Sequence, residues 1–188
     1  MPCFPAQLQA PVKSFLRPGT WMPGSKTLHT YTESWKVEGD PEQCIEEMMN
    51  VVGKLNETEH PSEYFVNKVR HQDYWMQIFA YTPAGWLDVV EISFLPFDSQ
   101  TSLAKISSFS TGMLPAWVPF GFICDVILCW CPFSDNGMNE YRCQLLRDTL
   151  PLHVSVLHET EDKQLLPNHR KTDPKKYEST SAETQKNK

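Results

Sequence analysis

Residues 63–110, EYFVNKVRHQDYWMQIFAYTPAGWLDVVEISFLPFDSQTSLAKISSFS, decide the fold. Four runs rich in β-branched and aromatic residues stand in this stretch: Glu63–Arg70, Tyr74–Tyr81, Trp86–Leu95 and Ser102–Ser110. Short turn-rich connections separate them: His71-Gln72-Asp73, then Thr82-Pro83-Ala84-Gly85, then Pro96 to Thr101 with Asp98-Ser99-Gln100. Connections this short join antiparallel neighbours, so the four runs are expected to form a meander. In the third run Trp86, Asp88, Val90, Ile92 and Phe94 share one face, and Leu87, Val89, Glu91, Ser93 and Leu95 share the other. Both faces are mainly apolar, so this strand is central, and its Asp88 and Glu91 need partners if buried.

Upstream, residues 27–37 (TLHTYTESWKV) alternate as a strand, with His29, Tyr31, Trp35 and Val37 on one side and Glu33 as the polar exception there. Gly39-Asp40-Pro41-Glu42-Gln43 follows, with Asp40 suited to an N-cap, Pro41 to the first helical position and Gln43 to a capping box. Ile45, Met48, Met49, Val52 and Leu55 then form one apolar stripe on a helix of about four turns. Downstream, residues 138–149 (MNEYRCQLLRDT) read as a second helix after the turn residues Asp135-Asn136-Gly137, and Pro151 closes it. Leu152–Leu157 suits one more short strand. The expected class is α+β: an antiparallel sheet of about five strands with two helices, in the order β-α-β-β-β-β-α, and with one sheet face left for another element to cover.

The ends differ in composition from this body. Residues 1–25 hold prolines at 2, 5, 11, 18 and 23, and are expected to form an extended arm pinned by Phe4, Leu8, Phe15 and Trp21. No basic stretch followed by a continuous apolar run opens the chain, so a secretory signal is not expected. Residues 159–188 carry seven basic and six acidic side chains with little apolar content beyond Leu165, Leu166 and Tyr177, and are expected to be a disordered polar tail. That leaves residues 26–158 as a single α+β domain.

With 188 residues and 40% hydrophobic content the chain has material for one core, which excludes wholesale disorder. Lys and Arg number 17 against 23 Asp and Glu, a net charge of −6, and nucleic-acid binding is not expected from such a balance. Six cysteines occur, at 3, 44, 124, 129, 131 and 143. Cys124, Cys129 and Cys131 are spaced C-x4-C-x-C, which lacks the paired C-x2-C spacing of structural zinc sites, so free thiols are expected and neither a metal nor a cofactor. A reducing, cytoplasmic setting is the expected location, with membrane association as the alternative.

Residues 114–133, LPAWVPFGFICDVILCWCPF, are an apolar insertion in which Asp125 is the one charged residue. Prolines at 115, 119 and 132 interrupt it. Three readings follow: a flap over the open sheet face, an aromatic loop that enters a bilayer interface or meets a protein partner, or a membrane span. Trp117, Phe120, Phe122 and Trp130 suit interfacial depth. Between Lys105 and Arg142 no basic residue occurs, so anionic lipid would gain nothing from this stretch by charge.

No fingerprint of a known reaction occurs: there is no G-x-S-x-G, H-E-x-x-H, P-loop or dinucleotide motif. The polar residues that stand out are Asp88, Glu91, Ser108, Ser110, Asn139 and Arg142. Three positions apart on one strand, Asp88 and Glu91 face opposite sides and cannot form an acid/base pair by themselves. Asp88 can instead meet Asn139 or Arg142 if the second helix crosses the sheet, either as a buried network fixing helix to sheet or as an acid/base site with Ser108 or Ser110 as donors.

These positions carry a resemblance. Gly85-Trp86-Leu87-Asp88-Val89-Val90-Glu91-Ile92, Ser108-Phe109-Ser110, and Asp135-Asn136-Gly137-Met138-Asn139 with Arg142 resemble the motifs of a family of unknown function known by the serial number 1499. The family pattern is G-F-x-D-D-x-E-F, R-S-x-S-R-x-G and D-x-G-x-N-x-x-R, and the resemblance spans about Trp35 to Leu150. Val89 stands in place of its second Asp, Ser107 and Thr111 in place of its two Arg, and Met113 in place of its Gly, with Gly112 one position early. The resemblance implies the α+β fold and brings no established reaction. The functional expectation is therefore a non-enzymatic domain that binds an apolar ligand, lipid or membrane surface through Trp117, Phe120, Phe122 and Trp130, with Ser108 and Ser110 as polar contacts. The alternatives are an enzyme built on Asp88 or Glu91 with Asn139 and Arg142, and a protein-interaction module.

Overall fold

A computed structural model describes residues 2–16, 29–58, 60–98, 100–128 and 135–157. The part of the chain up to Val156 is one compact unit. Among the described residues six strands form one antiparallel sheet: β1 (Thr30–Glu38), β2 (Glu63–Arg70), β3 (Trp75–Tyr81), β4 (Leu87–Pro96), β5 (Thr101–Ser110) and β6 (Val154–Leu157), in the spatial order β2-β3-β4-β5-β1-β6. The meander β2 to β5 matches the pattern read from residues 63–110. β1 adds antiparallel to β5 in the register Thr30 to Phe109 through Glu38 to Thr101. β6 makes the sixth strand, beside β1.

Among the described residues four α-helices accompany the sheet: α1 (Phe4–Leu16), α2 (Pro41–Glu57), α3 (Gly121–Ile127) and α4 (Met138–Thr149). The start of α2 follows the expected chemistry, since Asp40 Oδ1 accepts from the backbone N–H of Glu42 and Gln43, each at 3.0 Å. Two helices more than expected reflect what lies on the second face of the sheet. The first face is covered by α2 and α4 over a core that includes Trp35, Ile45, Met48, Ile78, Ile92 and Phe94. The second face is covered by α1 and the segment that leads into α3, over Phe79, Tyr81, Leu87, Val89 and Phe109.

The extended arm expected for residues 1–25 is therefore corrected over Phe4–Leu16, which is helical despite Pro5 and Pro11. Pro5 falls in the first turn, where backbone N–H groups have no helical partner to lose. Pro11 does remove one internal bond, and tertiary contact outweighs it: Ala6, Ala10, Lys13 and Ser14 are buried against the body. The residues expected to pin this stretch do the reverse, since Phe4, Leu8 and Phe15 are exposed. The remaining arm residues 17–25 with Trp21, the polar tail 159–188 and Trp130 lie outside the described residues.

Candidate functional site

On the first face, α4 crosses the sheet and brings together three of the motifs read from the sequence. Arg142 Nη2 lies 2.6 Å from Asp88 Oδ2, with the Arg142 side chain fully buried and that of Asp88 8% exposed. Burial pushes the Asp88 carboxyl above its ordinary range, against the pull of Arg142 and of a hydrogen bond with Ser110. Ser108 donates to Asn139 Oδ1 at 2.7 Å, and Asn139 Nδ2 donates to the His29 carbonyl at 3.0 Å and to Asp135 Oδ2 at 2.8 Å. Burial raises Asp135, yet the backbone N–H groups of Asn139 and Gly137 outweigh it and hold that carboxyl below its ordinary value. Arg142 Nε and Nη1 have no hydrogen-bond partner among the described residues. The cluster thus joins helix to sheet in the manner of a buried network.

Glu91 is on the other side of the sheet, as the alternation requires, and accepts from Gln77 Nε2 at 2.9 Å. It does not join Asp88 and Arg142. A half-buried carboxylate, Glu33, has partners that the sequence reading did not identify: it accepts from Tyr31 Oη and Trp35 Nε1, each at 2.7 Å, and from Arg147 Nη1 at 3.0 Å. Its place on the apolar face of β1 was the signal, and its helix partner was not legible.

Ser108 and Ser110 belong to this covered face, whereas Trp117, Phe120 and Phe122 belong to the other, so the residues grouped as ligand-binding do not share one site. The apolar insertion is anchored at its beginning. Thr111 donates to the Leu87 carbonyl through both its backbone N–H and Oγ1, and the Ala116 N–H donates to the Gly85 carbonyl at 2.7 Å. Trp117 Nε1 donates to the Ala84 carbonyl at 3.2 Å. Its ring lies against Gly85, whose φ of +84° and lack of a side chain make room for it.

A buried ion pair locks α1 to this insertion. Lys13 Nζ lies 2.7 Å from Asp125 Oδ2, with side-chain exposures of 0% and 2%. Lys13 also donates to the Leu114 carbonyl at 2.8 Å, and Asp125 Oδ1 accepts the Leu114 N–H at 3.0 Å. Gly112 is required beside it, because a Cβ there would collide with the Asp125 carboxylate. Gln9 Nε2 adds bonds to the carbonyls of Ala116 at 3.1 Å and Val118 at 2.9 Å.

With their polar sides turned inward, both elements present apolar side chains outward. On α1 the outward row is Phe4, Leu8, Val12 and Phe15, with Phe15 82% exposed. On the insertion it is Trp117, Phe120, Ile123 and Ile127. Phe120 is 70% exposed and sits at φ +58°, a left-handed conformation unfavourable to an aromatic residue. Phe122 is half-buried. No described helix is long and apolar enough to cross a membrane.

Thiol chemistry divides in the same way. Burial pushes Cys44 up to about 11 and Cys143 up to about 12, and these thiols are inert, whereas Cys3 and Cys124 are exposed. Among the described residues no group of three or more His, Cys, Asp or Glu is placed to hold a metal ion. Cys129 and Cys131 lie outside the described residues. In comparisons with protein-family models, curated proteins and solved structures, the chain matches none.

Proposed function

We propose that this domain binds the surface of a lipid bilayer from one side, through the outward apolar rows of α1 and the insertion, without spanning the bilayer. The observation that carries the reading is the inverted amphipathicity of α1. A helix on a water-soluble body turns its large apolar residues to the core. Here Ala6, Ala10, Lys13 and Ser14 face the sheet, and Phe4, Leu8, Val12 and Phe15 face away from it. The same inversion at α3 buries Asp125 and exposes Ile123 and Ile127. Polar groups paired inside and apolar groups outside is the arrangement that a hydrocarbon environment favours. Trp117 and Phe120 add aromatic rings suited to the headgroup level.

Charge narrows the surface. Lys13 is the one basic residue of α1 and is consumed by Asp125, and α3 has none. Neutral lipid is therefore the expected partner, and anionic lipid adds no attraction at this face. The polar cluster on the first face does not support an acid/base reaction, because Asp88, Ser108, Asn139 and Arg142 are all buried.

The test is co-sedimentation of the full chain with phosphatidylcholine vesicles. Binding is expected, with at most a slight gain on adding phosphatidylserine. Each outward Phe contributes about 1.5 kcal/mol or more if it enters the apolar layer, so Phe15→Ser with Phe120→Ser is expected to weaken partitioning at least about tenfold. Failure of the unaltered protein to sediment with vesicles would remove the proposal.

A further inference from the structure

The cover leaves a groove open along α1, on the side of the edge strand β2 and its neighbour β3. It consists of two adjoining cavities that share Pro2 and Tyr81 in their walls. The inner cavity, about 260 Å³, has Phe65, Phe79 and Tyr81 on its sheet side and Ala10 and Pro11 on its helix side. The outer cavity, about 420 Å³, lies at the end of the sheet between Tyr81, Trp117 and Ala6, with Glu63 and His60 at its polar side. Of the outward rows Trp117 alone borders the groove, at its mouth, while Phe15, Phe120, Ile123 and Ile127 line neither part.

We infer that this groove binds one molecule of a single-chain amphiphile, with its alkyl chain in the inner part and a quaternary ammonium head in the outer part. The two parts together have the size of a small-ligand site. Among its described residues the inner wall has no charged one, and apart from the polar Gln7 and Asn67 its side chains favour hydrocarbon. At the mouth the chemistry changes. Tyr81 and Trp117 supply aromatic rings of the kind that attract a trimethylammonium group. Trp117 is held there by its bond to Ala84 and its contact with Gly85. Glu63 and Tyr81 are direct partners in the β2–β3 register, which puts a carboxylate beside the aromatic wall. Among the described residues no Lys or Arg lines either cavity, so a carboxylate head meets no permanent cation there.

Calorimetric titration of the full chain with dodecyltrimethylammonium and with laurate, each below its critical micelle concentration, tests the inference. The ammonium compound is expected to bind at one site, at least about tenfold more tightly than laurate. Gln7 is an exposed residue of the inner wall whose side chain bonds only the Pro2 carbonyl, so Gln7→Trp fills the groove without disturbing the core. It is expected to weaken ammonium binding at least tenfold. Glu63→Lys is expected to reverse the preference between the two heads. Absence of binding by both compounds, equal or better binding of laurate, or indifference to Gln7→Trp would each overturn the inference. The Phe15→Ser, Phe120→Ser variant keeps its groove, so titration with the ammonium compound is expected to be unchanged in it, and a failure of vesicle binding is read separately.

Discussion

At Asp88 and Arg142 the balance between desolvation and charge is decided by a single contact of 2.6 Å. Taking both charges out of water is unfavourable, and their attraction makes up for it only while both are present. Arg142→Met therefore leaves a buried carboxylate alone and is expected to destabilise the fold by about 3–5 kcal/mol at neutral pH. The sign of its pH dependence follows from the direction of the shift. Burial already holds Asp88 above its ordinary value, and loss of Arg142 removes the main opposing influence. The folded state then binds the proton more readily than the unfolded state. The penalty is full above the folded-state value and fades as pH falls toward the unfolded value of about 3.9. Urea unfolding of the variant at neutral pH and near about pH 4 measures this, and a penalty that grows on acidification would contradict it. At this scale the sequence was informative where strand alternation applied: it separated Asp88 from Glu91 and pointed to Arg142. It singled out Asp125 as the lone charge of the insertion but did not pair it with Lys13, because 112 positions separate the two.

Elements were legible where periodicity and capping agreed. The meander, α2 with its Asp40 cap, and α4 all satisfy a local rule and a packing rule at once. α1 did not, because its prolines argue against a helix and its apolar row argues for a core face it does not have. The small residues Ala6, Ala10 and Ser14, one helical turn apart, were the signal of close packing. What fixes α1 is the Lys13–Asp125 pair, and Lys13→Met tests this at the level of the element. Asp125 would remain buried without its counter-charge, and the local cost of about 3 kcal/mol raises opening of α1 and residues 111–127 about a hundredfold. Hydrogen exchange is expected to show faster amides there and unchanged amides in Trp75–Tyr81. Uniform protection across α1 would mean that the ion pair does not hold the cover. Replacing both partners together, as Lys13→Met with Asp125→Leu, is expected to restore most of the protection, since a matched apolar pair needs no charge.

The molecule as a whole has two cores of unequal size on the two faces of one sheet, and this asymmetry governs what the cover does. The larger core, closed by α2 and α4, contains Trp35, Ile78, Ile92 and Phe94 and contains no residue of α1. The smaller core depends on α1, which supplies Ala6 and Ala10 over Phe79, Tyr81, Val89 and Phe109. Removing residues 2–16 is therefore expected to leave a folded sheet with α2 and α4 in place but with its second face exposed. An apolar sheet face of this kind promotes association. Near-ultraviolet circular dichroism is expected to remain native-like, because Trp35 keeps its surroundings. Sedimentation velocity is expected to show self-association, and the midpoint of thermal unfolding to fall by about 10 °C, the equivalent of roughly 3–4 kcal/mol for a domain of this length. Loss of all tertiary signal would show that the first core is not self-sufficient. A monodisperse protein with an unchanged midpoint would show that α1 contributes nothing to the second face. The same truncation removes the row Phe4, Leu8, Val12 and Phe15 together with Ala10 and Pro11 of the groove. Vesicle binding and ammonium binding are thus both expected to fail in the truncated chain, although Phe15→Ser with Phe120→Ser affects only the first and Gln7→Trp only the second.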